Sequence, residues 1–579
     1  MPDAPSRRDT LRHLSVLAVA GLTGMGVSGE ALSRTPFTRT HSLPSLKGLP
    51  DYSYAGYGFG VAAIPSEPGT IIDVKSFGAK GDGETDDSRA AREALAAAHK
   101  VEGKVTLRFP AGRFVLTEVL RIERSDFVLE GAGHDDEGTT LYFPRPLRLV
   151  DETQTLKELR EYIRKENKRQ VEKDRNIDYW FSEYSWSEGF IRVGIPGVRY
   201  AEYLPEYDTP PDIVTAGVSG AKWTRQLEVA DASGITPGQI IQIQWFADKG
   251  RGSAILHSLY GNTTRTLGQR HYDNPARALI SQTTRVVSVK GNRLELGDPL
   301  LHAVSAAQPA RLVRKAFLTD VGIQGLRIEF PDAPAFGHHL EEGYNAIALN
   351  EMFDGWVRDV TIHNADSGIL TYDSASLTLS GIATTGAREA HYSVHVGNAH
   401  NVLVKDVLVA NPVVHPLSVN TQATRAVYSR AVVLTRGLID QHAGANHENL
   451  FDAVRLHIRP KKVDGQGREM WVHDTWAGGG APYWQPNHGL HNTTWNLEVV
   501  IEGGAPWDAE VTLRGLKQGI GENVIGVYGN RRLSVLYPDA ARIEGVNVCI
   551  DAAPSLYDHQ LAQRRHEALE IIRAIRRLN

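Results

Sequence analysis

The sequence predicts an all-β solenoid, an elongated stack of β-coils, because a short apolar pattern recurs in its second half. Four segments share apolar residues that alternate around a central Gly or Asp: "VGIQGLRIEF", "GWVRDVTIHN", "LTLSGIATTG" and "NVLVKDVLVA". Alignment of Leu326, Val360, Ile382 and Val407 gives separations of 34, 22 and 25 residues, and Val454 matches 47 residues further on, about two coils. A period of this length without helical periodicity is typical of coils that bury their inward residues against their neighbours.

Composition supports this class and excludes others. The chain has 579 residues, 41% of them hydrophobic, and 55 glycines, which suits a large core and many tight turns. A formal net charge of -5 gives no basic field for nucleic acid. The single cysteine, Cys549, excludes an intramolecular disulfide.

The N-terminus has the layout of a twin-arginine export signal. Arg7 and Arg8 precede a modest apolar run from Leu14 to Val27, which is too short to span a bilayer well. A frayed N-terminal helix is the alternative. We assign the signal to residues 1–35 and expect a periplasmic or secreted protein that is not in the membrane after export.

A capped first coil follows a linker at residues 36–70. In "IIDVKSFGAKGDGETDDSRAAREALAAA" we expect a strand from Ile71 to Phe77, a turn at residues 78–83, and a helix capped by Thr85 or Asp86. The predicted buried face of this helix comprises Ala90, Ala94, Leu95 and Ala98. "KVTLRFPAGRFVL" and "LRIERSDFVLEGAG" predict further strands separated by glycine turns.

These N-terminal motifs resemble a known family. "VKSFGAKGDGETDD" followed by "FPAGRFVL" resembles the opening of the pectate-lyase-like superfamily, which includes polysaccharide lyases and family 28-type glycoside hydrolases. The resemblance implies a right-handed single-stranded parallel β-helix that acts on a polysaccharide or oligosaccharide. We expect Asp82, Asp86 and Asp87 to shape the capping turn and not to catalyse.

The remaining chain divides by pattern. Residues 71–150 form the N-terminal coils and cap, 151–260 an inserted α+β segment, 261–550 the main β-helix, and 551–579 a C-terminal helix. Within the insertion, "TLKELREYIRKENKRQVEKDR" predicts a charged helix and "RQLEVADASGITPGQIIQIQWF" a compact strand pair around a Gly-Pro turn. Ser555 is a possible N-cap of the last helix, which we expect to cover an end or flank of the solenoid.

Polar residues recur once per coil. Asp366, His391 and His415 enter successive strands and Asp440 closes a fourth, at intervals of 25, 24 and 25 residues. With parallel strands about 4.8 Å apart, they would form a column about 15 Å long, with Tyr344 one coil further along. Thirteen of the 22 histidines also lie between residues 338 and 491. A groove lined by imidazoles is suited to proton transfer.

Two reactions compete for this groove. Hydrolysis of a glycosidic bond needs two carboxylates, and "HNADSG" with Asn364 and Asp366 resembles part of the family 28 signature, with Asp440 as a possible partner. The rest of that signature, namely the adjacent Asp pair, the Gly-His-Gly and the Arg-x-Lys, does not appear in matching coils. β-Elimination from a uronate needs a base, an acid and a group that neutralises the substrate carboxylate. The histidines, tyrosines and arginines of this region favour elimination.

We therefore predict a lyase for a uronate-containing glycan, with a glycoside hydrolase and a non-catalytic glycan-binding β-helix as alternatives. Asp440 is expected to orient His442 as base, and His447 to contribute acid or contact substrate. The candidate catalytic residues are His442, Asp440, His391, His395, His447, Tyr392 and Asp366. The candidate substrate-binding residues are Asn364, Arg388, His415, Arg436, Trp476, Trp484 and Tyr344. A structural ladder of polar side chains is the alternative to catalysis.

No cofactor follows with certainty. Ca²⁺ is possible because several lyases of the superfamily use it, but no EF-hand spacing or tight acidic cluster supports it. The histidine-rich groove could also hold a transition metal, although no helical His-x-x-x-His motif occurs there. Oligomeric state is not indicated.

Overall fold

The computed structural model describes residues 36–151, 153–169, 180–197, 212–261, 267–465, 468–480, 482–516 and 519–566. The predicted export signal lies outside these residues. Within them, no helix combines the length and the apolar character needed to cross a membrane.

The body of the protein is a parallel β-helix, which confirms the predicted all-β class. Each central coil gives one strand to a sheet that we call the site sheet and then one or two to a larger wrapping sheet. The site sheet consists of Leu120–Ile122, Ile191–Val193, Asn345–Asn350, Ser367–Tyr372, Ala390–Gly397, Val413–Asn420, Ile439–His442 and Trp476–Ala477.

The wrapping sheet covers the other faces of the coils. Its strands are Thr70–Asp73, Asp82–Asp86, Val105–Arg108, Gly112–Val115, Phe127–Glu130, Thr139–Tyr142, Leu318–Glu329, Met352–His363, Ser374–Thr385, Ala399–His400, Leu403–Val409, Val427–Ser429, Val432–Val433, Leu450–Asp452, Arg455–Ile458, Thr493–Ile501, Asn523–Gly529 and Arg542–Val546. A smaller sheet comprises Lys461–Gly465, Arg468–Asp474, Val511–Arg514 and Leu533–Leu536, and Thr38–Thr40 pairs with Val548–Ile550.

The register of the coils agrees with the sequence repeat. Leu326 pairs with Val360, Val360 with Ile382, and Ile382 with Val407, as the alignment predicts. The residue before each of these occupies the left-handed region, at φ 66° for Gly325, 54° for Asp359, 64° for Gly381 and 55° for Asp406. The central Gly or Asp of the repeat therefore marks a corner of the coil, because these residues adopt positive φ most readily.

A helix caps the N-terminal end of the β-helix. It spans Ser88–His99 and begins after Asp87, slightly later than predicted, with Ala90, Ala94, Leu95 and Ala98 buried as expected. The Asp87 carboxylate accepts the backbone N–H groups of residues 80 and 81, at 2.6 and 3.0 Å. Asp82 accepts that of Thr85 at 2.8 Å. These aspartates hold the turn, in agreement with their predicted structural role.

The insertion is larger than predicted. Six strands form a closed antiparallel barrel, so that the insertion extends to residue 314, not 260: Asp212–Ser219, Gln226–Val229, Ile240–Phe246, Ala278–Lys290, Arg293–Leu296 and Ala310–Arg314. The expected pairing of Gln226–Val229 with Ile240–Phe246 is wrong. The first pairs with Arg293–Leu296 and the second with Ala278–Lys290 and Ala310–Arg314, through contacts that no local sequence pattern reveals.

The other helices are short or peripheral. The charged helix of the insertion spans Gln154–Arg169, the rest of its predicted length lying outside the described residues, and a second helix spans Ala254–Tyr260. Single 3-10 turns occur at Tyr52–Tyr54, Tyr57–Gly60, Val74–Phe77, Leu147–Leu149, Gly250–Gly252, Gln269–His271 and Pro482–Trp484.

Both ends of the described chain pack on one flank of the wrapping sheet. Residues 36–70 are not a free linker, since Tyr52 is fully buried and its hydroxyl donates to the carbonyl of His491 at 2.9 Å. Residues 556–566 are helical, and the Ser555 hydroxyl accepts the N–H of Asp558 at 3.0 Å, as predicted for an N-cap. Leu556 packs with Trp495 in the same cluster, so this helix covers a flank of the solenoid.

Candidate active site

The register of the site sheet places the candidate residues in rows across neighbouring strands. Tyr392 pairs with His415, Ser418 with Asp440, and Asn420 with His442. The predicted column of Asp366, His391, His415 and Asp440 is therefore not in register. His415 lies one position beyond the residue that is level with His391, and Asp440 lies three positions beyond the residue that is level with His415. The reason is that the connections between the strands differ in length.

An open cleft lies along the last residues of these strands and encloses about 870 Å³, including space open to solvent. Aromatic side chains from the insertion and from the loop before residue 485 form its walls: Tyr162, Phe181, Trp186, Tyr483 and Trp484. Its ionisable and hydroxyl-bearing floor comprises His339, Thr371, Tyr372, Tyr392, His395, Thr421 and His442. Among the described residues that line it, none is an aspartate or glutamate.

Asp440 lies beneath this floor and holds two imidazoles. It is almost fully buried, and its Oδ1 is 3.4 Å from Nδ1 of His442 and its Oδ2 3.2 Å from Nδ1 of His415. The Ser418 hydroxyl also donates to Oδ2, at 2.6 Å. Burial alone would raise the pKa of Asp440, but His415 and His442 outweigh it and lower that pKa. Because the carboxylate accepts from Nδ1 of both rings, the lone pair of each imidazole is placed on Nε2.

Two further cleft groups are strongly affected by burial. Burial lowers the pKa of His395 to about 3, so that this imidazole is neutral near neutral pH. Burial raises the pKa of the Tyr392 hydroxyl, which stays protonated and contacts Asn420. The Tyr392 ring stacks on His391 and His415, with centroids 4.2 and 5.1 Å away. The predicted residues His442, His395 and Tyr392 thus share the cleft, with Asp440, His391 and His415 directly behind them.

His338, His339 and Glu341 also lie at or beside the cleft, although the sequence analysis did not predict them as site residues. His339 lines the cleft, and Nε2 of His338 lies 3.2 Å from Nε2 of His391. Nδ1 of His391 donates to Oε1 of Glu341 at 2.9 Å. The only available signal was the adjacent histidine pair within the histidine-rich region. This pair lies in a long connection outside the repeat, so the repeat does not predict where it lies relative to the strands.

Asp366 is placed elsewhere, with two of the predicted substrate-binding residues. Its carboxylate accepts the N–H groups of Gly343 and Tyr344, at 3.1 and 2.9 Å, and pairs with Arg388 at 3.2 Å. Arg388 in turn lies 4.5 Å from the centre of the Tyr344 ring. Asp366 and Arg388 are nearly completely buried, so this set stabilises the neighbouring turn and does not reach the cleft.

Four other candidates have different environments. His447 is buried with Nε2 3.0 Å from His302 of the barrel, away from the cleft, and Trp476 is buried and donates to Thr494. The Asn364 side chain accepts the N–H of residue 387 at 2.9 Å and fixes a turn. Arg436 is exposed outside the cleft lining. Of the predicted sugar platforms, Trp484 lines the cleft and Trp476 does not.

Groups that could ligate a cation are imidazole-rich. In the described part of the chain, two groups of three such side chains occur: His338 with His391 and His415, and His415 with Asp440 and His442. Neither offers the set of oxygen ligands that Ca²⁺ prefers. These residues therefore do not fit the Ca²⁺ site that the resemblance allowed.

Comparison with known proteins agrees with the fold. Residues 71–156 match the family model described as rhamnogalacturonase A/epimerase, pectate lyase-like. No curated protein sequence matches the chain significantly. This match covers the N-terminal coils, and the parallel coils described above continue from them.

Several solved structures resemble the chain at low identity. The tailspike protein gp49 of Pseudomonas phage LKA1 has 11% identity and a TM-score of 0.39, over 83% of this chain and 81% of that one. An exopolygalacturonase of Thermotoga maritima has 12% identity and a TM-score of 0.38, over 84% and 94%. The A-module of a mannuronan C-5 epimerase of Azotobacter vinelandii has 12% identity and a TM-score of 0.31, over 83% and 97%.

Proposed function

We propose that the protein is an exported polysaccharide lyase that cleaves a uronate-containing glycan by β-elimination, with His442 as the base. The observation that carries this proposal is the pairing of His442 Nδ1 with buried Asp440 at 3.4 Å, in a cleft whose described lining offers imidazoles and phenols but no carboxylate. The aromatic walls suit sugar rings, because flat side chains pack against their apolar faces.

The groups of the cleft suffice for the proton transfers. Nε2 of His442 removes the proton from C5 of the uronate, the electron pair forms the C4–C5 double bond, and the C4–O bond breaks. The Tyr392 hydroxyl donates a proton to the leaving oxygen. After the products leave, His442 loses its proton to solvent and the Tyr392 phenolate takes one up from solvent, which restores both groups. The products are an unsaturated uronate and a new reducing end. Asn420 and the neutral His395 have N–H groups that can bind the substrate carboxylate.

Hydrolysis fits less well. It needs two carboxylates on opposite sides of one scissile bond. Asp366 is enclosed by Arg388 and two backbone N–H groups, and Asp440 by two histidines and Ser418. Neither carboxylate has a face on the cleft, so the pair predicted for a hydrolase cannot flank a substrate there without rearrangement.

The test is incubation of the purified protein with alginate, pectate, glucuronan and glycosaminoglycans. We expect near-ultraviolet absorbance and reducing ends to rise together on one of them, since elimination creates a double bond at each cleavage. Reducing ends without absorbance would replace this proposal with hydrolysis. Binding without either signal would replace it with a glycan-binding role.

A matched pair of variants assigns the reaction to this cleft. His442→Ala should lower turnover by a factor of about 100 or more, because it removes the base. His457→Ala is the control, since that ring lies on the wrapping sheet and contacts Glu502. Near-wild-type turnover in folded His442→Ala would remove His442 from the mechanism.

A further inference from the structure

We infer that His338, His391 and His415 form a binding site for a divalent transition-metal ion of the Zn²⁺ type, at the solvent edge of the site sheet. One ligand atom from each of these side chains lies within 4.8 Å of the others. This site does not depend on the proposed elimination reaction, because the positions of the three rings and the hydrogen bonds of their nitrogens support it.

Two of the three rings already lie at ligating distance from each other. Nε2 of His338 and Nε2 of His391 are 3.2 Å apart. Two nitrogens that share a tetrahedral ion at about 2.0–2.1 Å would lie about 3.3–3.4 Å apart, so this pair is already at ligating distance. His415 needs a closure of at most about 1.5 Å to reach the same separation.

In His391 and His415, the other ring nitrogen, Nδ1, faces a carboxylate. Nδ1 of His391 donates to Oε1 of Glu341 at 2.9 Å, and Nδ1 of His415 donates to Oδ2 of Asp440 at 3.2 Å. Each bond places the lone pair on Nε2. Metal-bound histidines almost always donate their other N–H to a carboxylate or carbonyl in this way.

One ring nitrogen of His415 lacks a hydrogen-bond partner in the described part of the chain. Nε2 of His415 is buried and has no hydrogen-bond partner among the described residues. A buried polar atom without a partner is destabilising and usually has a reason. A metal ion between the three rings would satisfy it.

The ligand set indicates the chemical class of the ion. Three neutral imidazoles suit Zn²⁺, Co²⁺ and similar ions and do not suit Ca²⁺ or Mg²⁺, which prefer oxygen. His391 is buried, His415 half-buried and His338 exposed, so an ion held by all three would face solvent on the His338 side. Three protein ligands with one open position are typical of zinc sites that bind water or substrate.

The experiment uses the full-length protein, stripped with a chelator and titrated with Zn²⁺ by calorimetry and with Co²⁺ by visible absorbance. We expect one ion per chain and the intense absorption bands of four-coordinate Co²⁺. Because Ca²⁺ prefers oxygen ligands and the site offers three imidazoles, a Ca²⁺ excess should not displace either ion. No binding at micromolar Zn²⁺ would overturn the site and leave the His338–His391 contact as a simple hydrogen bond.

Variants locate the ion. His338→Ala should weaken binding by a factor of about 100 or more, and because that side chain is exposed the variant should keep the wild-type melting temperature. Glu341→Gln should weaken binding about 10-fold or more while leaving all three ligands in place. His363→Ala is the control, since that ring bonds only to Thr385 among the contacts described.

His442→Ala separates this site from the neighbouring group of His415, Asp440 and His442. It should retain the ion if His338, His391 and His415 are the ligands. Loss of the ion in His442→Ala together with its retention in His338→Ala would overturn the proposal in favour of the second group.

Discussion

At the scale of single residues, the buried carboxylate of Asp440 determines what two imidazoles can do. It fixes Nδ1 of both His442 and His415 as donors and so leaves the lone pair of each ring on Nε2. One side chain thereby orients both the proposed base and one of the proposed metal ligands. Nothing in the spacing of residues 415 and 442 indicates that they share a partner.

Asp440→Asn should lower kcat by a factor of about 100 or more, because the two imidazoles use different carboxylate oxygens and an amide has only one oxygen, so that its NH₂ group would face the N–H of one ring. The measurement is turnover on the glycan identified by the substrate survey. Asp406→Asn, which alters an exposed ion pair with Arg430, is the control. Unchanged kcat in Asp440→Asn would contradict the assigned role.

Two glycines leave room for the imidazole rings of His442 and His395. A Cβ built on Gly479 would lie 2.0 Å from Cε1 of His442, and one on Gly397 would lie 2.2 Å from Cε1 of His395. We expect Gly479→Ala and Gly397→Ala to displace these rings and lower turnover at least about 10-fold, since small displacements of reacting groups are costly. Gly252→Ala, where no atom lies within 4 Å, should be neutral. Turnover assays on the folded variants measure this effect. Wild-type rates in both variants would contradict the prediction that a Cβ displaces these rings.

At the scale of elements, the corners of the coils set the register that builds the site. Gly381 is the left-handed corner before Ile382. The equivalent corner two coils later is Arg430, at φ 54°, and the one in the coil after that is Ala453, at φ 51°. Non-glycine residues pay about 1 kcal/mol or more for this conformation. Each corner is therefore a local weakness that the pairing of neighbouring coils overcomes.

Opposite substitutions at two corners test this strain. Gly381→Ala should destabilise the fold by about 1–3 kcal/mol, because its Cβ would lie 2.6 Å from Oδ1 of Asp359 at φ 64°. Ala453→Gly should be neutral or stabilise by up to about 1 kcal/mol, since it relieves a left-handed alanine. Urea unfolding measures both. The same sign of change in the two variants would contradict the argument.

At the scale of the whole molecule, buried neutral histidines couple stability to pH. Burial lowers the pKa of His271, His447 and His488 to about 4 in each case, whereas an unfolded histidine titrates near about 6.5. Between these values the unfolded chain binds protons that the folded chain does not. Stability therefore falls as the pH decreases from about 6.5 toward about 4.

The expected slope is about 1.4 kcal/mol per pH unit for each such histidine. Urea midpoints at several pH values between about 7 and about 5 measure it. His271→Gln should flatten the slope by about one histidine's contribution, because glutamine can bond to the Trp484 carbonyl without titrating. An unchanged slope in that variant would show that His271 takes up a proton in the folded state.

The sequence alone determined the class of fold and the register of four of its coils. Residues 326, 360, 382 and 407 pair as their spacing predicts, because a solenoid repeats one local pattern and each coil contacts only its neighbours. The same logic located His395, His442 and Asp440 in a single histidine-rich region. Export remains a prediction of the first 35 residues.

Only the tertiary structure decided which side chains meet. The barrel closes through strands far apart in sequence, and His338 and Glu341 reach His391 from an irregular connection. Asp366 shares the periodicity of His391 but is captured by Arg388 and two backbone N–H groups. Periodicity fixes the height of a residue along the solenoid. Its direction and its partner depend on the lengths of connections and on competing hydrogen bonds, neither of which the repeat encodes.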